Sequence, residues 1–245
     1  MGLFAMGKFN TEWIVGPHGP LERLDEGLFT VEGEIVMPLG RFPRRMTVVA
    51  LSAGRVAIWS AIPLREAEMA EIEAMGEVAF LIVPGIGHRL DIIPWKARYP
   101  YARVVCTAGA QKGVEEVVSV DATGDVLDDP HVHLETVAGV GELEGALTVR
   151  REGRLTLVVN DILANVRHPH GLGANIMARL LGFGVKRPRI PRIGKRMFVK
   201  DIAALAAEFR RWAAEPGLTR VVVSHGDVIE KNPRAVLARV AADLA

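Results

Sequence analysis

Three apolar runs in this chain each stop at a residue that can bind a metal ion or move a proton. Val78-Ala79-Phe80-Leu81-Ile82-Val83-Pro84 leads through Gly85-Ile86-Gly87 to His88. Leu155-Thr156-Leu157-Val158-Val159-Asn160 stops at Asp161, and Arg220-Val221-Val222-Val223-Ser224 stops at His225, ahead of Gly226-Asp227. Two imidazoles and a carboxylate can hold Zn²⁺, Fe²⁺ or Mn²⁺ and leave positions open for water. An ion held in this way lowers the pKa of bound water towards about 7 and polarises a carbonyl or phosphoryl oxygen. The chemistry requires only that the three ends lie side by side. The opposing reading makes Asp161 a cap for the next segment and His225-Gly226 a turn, leaving a structural polar pocket and no ion.

Other titratable residues are weaker candidates. His131-Val132-His133 alternates, so on a strand both rings face one side, as a shared ligand site requires. Asp128-Asp129-Pro130 just before it reads as a surface turn, which favours solvated rings; the pair supplies extra ligands only if the chain folds back over the strand ends. Asp91, three residues after His88, is a candidate to support His88 or to bind metal itself. His168-Pro169-His170-Gly171 reads as a loop, and His18 has no visible partner. The one cysteine, Cys106, excludes an intramolecular disulfide and a multi-cysteine zinc site. It ends an apolar strand and reads as a buried structural thiol.

The elements that must position these residues are legible from turn residues and periodicity. Short strands are expected at 28–31, 35–38, 46–51 and 56–59, with Ser52-Ala53-Gly54-Arg55 as a hairpin turn. Residues 63–76 read as a helix with Leu64, Met69, Ile72 and Met75 inward and Gly76 as its C-cap. Strands follow at 78–83 and 102–106, with a short helix at 91–99 between them. The middle adds strands at 117–120, 134–137, 145–150 and 155–159, the last two joined at Arg151-Glu152-Gly153-Arg154. Asp201 caps a helix to about 214, lined by Ile202, Leu205, Phe209 and Trp212. The strand ending at His225 and a helix over 233–244 close the chain. Two groups of strands, each followed by helix, fit a layered αβ/βα sandwich, in which sites gather beyond the carboxyl ends of strands.

Bulk properties narrow the function classes. A chain of 245 residues with 49% hydrophobic residues can bury a full core as one domain over 1–245. A net charge of +1 supplies no global field for nucleic acid or membrane. No apolar run is long enough to span a bilayer, and residues 1–8 lack the features of a signal peptide. Met1-Gly2 starts like a myristoylation signal, but Met6 stands where Ser or Thr is needed. A cytoplasmic location is the expectation.

Residues 162–200 break the pattern as a basic and apolar insertion. They hold nine Lys and Arg residues and no Asp or Glu. Arg187, Arg189, Arg192, Lys195 and Arg196 are its candidate anion- or partner-binding residues. The piece from Ile176 to Phe183 suits a lid, a homodimer contact or a membrane-surface helix, with peripheral membrane contact less favoured. Only Phe183 and Phe198 stand among these charges, too sparse for a run of stacking rings, so nucleic acid is not an expected partner.

The order of several segments resembles the metallo-β-lactamase fold, and more closely a divergent branch known as a domain of unknown function. They are Arg45-Met46-Thr47-Val48-Val49, Val83-Pro84 with His88 and Trp95, and Tyr99-Pro100-Tyr101-Ala102. Later come the run from Leu155 to Asp161 with Asn165, and Val223-Ser224-His225-Gly226-Asp227. Together they span about residues 45 to 230. The resemblance implies an α/β fold, a four-layer αβ/βα sandwich, and a hydrolase using metal. Active members carry a His-x-His-x-Asp-His run that serves two metals. Here Pro84-Gly85-Ile86-Gly87-His88 stands in its place, with His88 on the last histidine and glycines on the middle histidine and the aspartate. A later histidine, expected near Gly139-Val140-Gly141, is also missing. Asp161 matches the bridging aspartate and His225 the final histidine, so the surviving ligands are those of the second metal only.

Two functions follow from these residues. The first is a mononuclear metal-dependent hydrolase, with His88, Asp161 and His225 as ligands to one Zn, Fe or Mn ion. Asp161 and His225 would carry catalysis on a small anionic, ester or amide substrate. The second is a binding or assembly module of the same fold that has lost its metals. A nucleotide or redox enzyme is disfavoured, because no glycine-rich phosphate loop joins a strand to a helix.

Overall fold

The computed structural model describes residues 9–37, 40–169 and 171–245. Residues 1–8, Pro38 and His170, each read from the sequence above, lie outside the described residues. The strands are β1 Glu22–Asp25, β2 Leu28–Met37, β3 Gly40–Leu51, β4 Arg55–Trp59, β5 Glu77–Val83, β6 Arg103–Cys106, β7 Ala122–Thr123, β8 Val132–Thr136, β9 Gly145–Arg151, β10 Arg154–Val159 and β11 Leu218–Val223. The helices are α1 Glu66–Met75, α2 Ile92–Arg98, α3 Gln111–Val114, α4 Leu172–Leu181, α5 Arg192–Met197, α6 Ile202–Ala214 and α7 Pro233–Ala242.

β1 to β7 form one sheet in sequence order. It is antiparallel from β1 to β4 and parallel from β4 to β7. The second sheet runs β11-β10-β9-β8, with only the β10–β11 pair parallel. Parallel neighbours need a crossover, and α1, α2 and α3 lie in those joining β4 to β5, β5 to β6 and β6 to β7, while α4, α5 and α6 lie between β10 and β11.

Period-two burial sorts the apolar residues into three cores. Val48, Ile58, Leu81 and Val104 turn one way and pack under Met69 and Ile72 of α1 and Trp95 of α2. Their neighbours Val49, Trp59, Ile82 and Val105 turn the other way, against Leu147, Val158 and Val222 of the second sheet. Leu157, Val159, Val221 and Val223 face Leu205, Phe209 and Trp212 of α6 and Leu237 of α7. Three interlayer cores between helices, sheet, sheet and helices make the four-layer sandwich.

Most element expectations hold. Asp201 caps α6, its carboxylate accepting from the Ala204 amide at 2.9 Å. Gly76 closes α1 with its amide on the Glu73 carbonyl. The strands expected at 28–31 and 35–38 are one, because β2 pairs without interruption along β3. The strand expected at 117–120 is absent. The Val117 and Val118 amides both donate to the Val114 carbonyl, continuing the turn after α3 and leaving no partner strand for these valines. Ile202 is an exposed start to α6 and does not line its buried face. Residues 162–200 hold two helices, α4 and α5. They are tied down by a small apolar cluster of Ala164, Val166, Met177, Ala178 and Phe183 against Phe42 of β3.

Candidate metal centre

β5, β10 and β11 end at the same edge of the sandwich, and the residues beyond them converge. After β5, Gly85 leads into a short 3₁₀ turn over Ile86–His88, closed by the His88 amide on the Gly85 carbonyl at 3.0 Å. Asp161 stands two residues past β10. His225 stands two past β11, where its carbonyl accepts from the Asn165 amide at 3.0 Å. The chain then turns at Gly226, whose φ of 99° favours glycine, and a Cβ there would stand 2.2 Å from the Asn165 carbonyl oxygen. One ligand atom from each of His88, Asp161 and His225 lies within 4.8 Å of the other two.

Both imidazoles present the same nitrogen. His225 Nε2 lies 3.0 Å and His88 Nε2 3.4 Å from Asp161 Oδ1. His225 Nδ1 lies 2.8 Å from the Pro43 carbonyl, which can only accept, so Nδ1 carries a proton and donates it there. His88 Nδ1 is held at 2.7 Å from Ser60 Oγ, at the end of β4. Pinning Nδ1 orients the ring and leaves Nε2 for an ion, as at metal-ligating histidines generally. The donor set therefore fits a single divalent ion that accepts nitrogen and oxygen ligands.

Electrostatics favour charge at the centre. Burial alone would raise the Asp161 carboxyl, but the charge of His88 and the hydrogen bond from His225 outweigh it and hold the group well below the usual carboxylate range. Burial pulls the His225 imidazole down; the hydrogen bond and charge of Asp161, with the Pro43 carbonyl, overcome this and leave it raised. Phe42 lies 5.3 Å from the His225 ring and Phe183 6.1 Å, so aromatic rings wall that side.

Behind the three ligands sits a residue the sequence did not flag. Glu144 is wholly buried. Its Oε2 accepts from Asn160 Nδ2 at 2.8 Å and from the Asp161 amide at 3.2 Å, while Oε1 has no hydrogen-bond partner among the described residues. Burial and the charge of Asp161 push this carboxyl well above its usual range, against those two hydrogen bonds. A Cβ on Gly85 would stand 2.5 Å from Glu144 Oε1, so Glu144 fills space that a side chain at 85 would enter. A Cβ on Gly87 would stand 3.4 Å from Asp161 Oδ2, so position 87 faces the centre as well. The sequence signal for Glu144 is its place immediately before the apolar strand β9, at the amino end of a strand and not beyond a carboxyl end.

The remaining candidates lie elsewhere. Asp91 does not touch His88; its carboxylate is buried in an ion pair with Arg44 and accepts from Asn10 Nδ2 at 2.6 Å. His131 and His133 are exposed, and His133 pairs with Asp125 at 3.1 Å. Neither histidine joins the cluster. Arg187 pairs with Asp243 at 3.1 Å, and Arg192 donates to the Leu180 carbonyl at 3.2 Å. Arg189 is half-buried, whereas Lys195 and Arg196 are exposed on α5.

No protein-family model and no curated protein sequence matches this chain. Solved structures do. A metallo-β-lactamase from Pontibacter korlensis superposes with a TM-score of 0.62 over 91% of this chain and 99% of its own, at 10% identity. One from Hirschia baltica gives a TM-score of 0.59 over 91% and 97%, at 11% identity. This chain has the metallo-β-lactamase fold. FIM-1 from Pseudomonas aeruginosa, another metallo-β-lactamase and solved in its mono-zinc form, gives a TM-score of 0.58 over 94% of this chain and 96% of its own, at 10% identity. On this fold His88, Asp161 and His225 form the cluster whose donor atoms could hold a metal ion.

Proposed function

We propose that this chain is a metal-dependent hydrolase with a mononuclear centre, acting on a small anionic, ester or amide substrate. The observation that carries this reading is the pinning of both Nδ1 atoms, which aims two Nε2 atoms at one carboxylate. His88, Asp161 and His225 would hold one Zn, Fe or Mn ion. When bound, such an ion supplies a Lewis-acid centre that polarises a carbonyl or phosphoryl oxygen and acidifies water. The residues themselves do the positioning. His225 donates Nδ1–H to the Pro43 carbonyl, so giving up its Nε2 proton to an incoming ion would leave the ring neutral with a lone pair at Nε2. Asp161 Oδ2, on the side facing Gly87, accepts a hydrogen bond from the attacking water. Gly87 is exposed and leaves an approach that a side chain would narrow. The cations of α5 attract an anionic substrate towards this edge. Hydrolysis adds hydroxyl to the electrophilic atom and a proton to the leaving group, so no further co-reactant is needed.

Elemental analysis of freshly purified protein tests this reading together with turnover of chromogenic ester, amide and phosphodiester substrates. About one equivalent of transition metal is expected, lost in Asp161→Ala and His225→Ala along with turnover. Full activity in metal-free protein would refute it. The glycines at 85 and 87 and the buried Glu144 favour one alternative, a binding or assembly module of this fold without catalysis. That alternative predicts no retained metal, and loss of an interaction when arginines in 186–196 become alanine.

A further inference from the structure

α4 buries one apolar face, yet its outward face also carries large aliphatic side chains. Met177 and Ala178 pack inward with Phe42 and Phe183, and Ala174 is buried beside Gly40. Ile176 and Leu180, one turn apart, point outward with 56% and 65% of their surface exposed. Arg179 shares that exposed face, and the guanidinium of Arg192 reaches its carboxyl end through the Leu180 carbonyl at 3.2 Å. Beside the helix, Pro169, Gly171, Asn175, Ile176 and Arg179 line an open depression of about 490 Å³. Arg167, Lys186, Lys195 and Arg196 are exposed in the same segment, and none of the chain's 29 Asp and Glu residues falls between 162 and 200.

We propose that the outward face of α4, with Arg179 on it and Arg192 at its carboxyl end, docks on the surface of an anionic phospholipid bilayer. A surface helix with aliphatic residues outward and Lys and Arg around them lies in the plane of a bilayer interface, its apolar side chains at the acyl boundary and its cations among headgroup phosphates. Charge complementarity selects the occupant. Each cation near an anionic leaflet strengthens binding about fivefold. A second copy of this chain would set cations against cations. Single-stranded nucleic acid would need stacking rings, and the nearest aromatic, Phe183, is buried against Phe42 at 4.5 Å. The orientation of α4 decides this. The sequence left the membrane contact disfavoured because it does not show that Ile176 and Leu180 face out.

The docking is independent of the proposed hydrolysis and is tested on the full chain without any substrate. Wild-type protein is sedimented with vesicles of phosphatidylcholine alone or with about one third phosphatidylglycerol, at about 0.1 M and 0.5 M salt. Binding to the anionic vesicles only, lost at high salt and weakened at least tenfold in Ile176→Asp/Leu180→Asp, is expected. Both side chains are exposed, so the double variant should keep the wild-type thermal midpoint. As a second readout, the tryptophan emission of Leu180→Trp should shift to the blue on anionic vesicles. No binding to phosphatidylglycerol vesicles overturns the proposal, as an acidic protein partner would require. So does binding that survives the aspartate substitutions, which would reduce the contact to charge alone, or an emission of the Leu180→Trp variant that does not move.

Discussion

Replacing Glu144 by Gln separates the two things this residue does. Its Oε2 accepts two hydrogen bonds in a fully buried site, and Gln keeps an acceptor oxygen for both. What Gln removes is the ionisable group, whose folded-state pKa is raised by burial and by the charge of Asp161. An acid with a raised folded pKa costs no stability below its unfolded value of about 4.3, where it is protonated in both states. Above that value the unfolded chain ionises more readily, and wild-type stability falls by up to about 1.36 kcal/mol per pH unit until the folded pKa is reached. Glu144→Gln should therefore gain on wild type as pH rises from about 4.3 towards neutrality, and the gap should level off beyond the folded pKa. Glu144→Leu should instead lose about 2–6 kcal/mol near pH 5, because it strands two buried donors at about 1–3 kcal/mol each. The assay is urea unfolding of metal-free protein at half-unit pH steps, with chelator present. Parallel wild-type and Gln curves across pH 4.5–7 would refute the reasoning, as would a Leu variant as stable as the Gln variant.

Three further outcomes are expected. Arg44→Met should destabilise the protein by about 3–5 kcal/mol in urea, since it leaves the buried Asp91 carboxylate without its cation; Arg44→Met/Asp91→Leu should recover most of that loss. Gly226→Ala should cost about 1–3 kcal/mol from its backbone φ of 99° alone, and more from the Cβ that would press on the Asn165 carbonyl, lowering the thermal midpoint. Burial pushes the Cys106 thiol up to about 11, with Glu115 adding to it, so a thiol reagent at pH 8 should label native protein far more slowly than unfolded protein; equal rates would contradict the burial.

The sequence by itself determined the strands that carry the site and the three residues at their tips. Alternating apolar residues such as Leu157-Val158 and Val221-Val222 can satisfy both faces of a sheet only if each face is covered, so the layers were legible before any contact was known. The resemblance to the metallo-β-lactamase fold rested on the same order of strand ends, and the superposed structures agree with it. Local pattern failed where the partner was distant or missing. The valines at 117–120 have strand propensity but no strand beside them, and Asp91 was judged by its spacing from His88 when Arg44, 47 residues away, holds it. Only the tertiary structure decided which nitrogen each histidine presents. Pro43 of β3 and Ser60, just past β4, pin the two rings, and the apolar patterns of those strands say nothing about hydrogen bonding. Only it showed that Glu144 occupies the space beside Gly85, and that α4 turns Ile176 and Leu180 outward. Periodicity records which residues share a face; what that face meets depends on chain folded against it from far along the sequence.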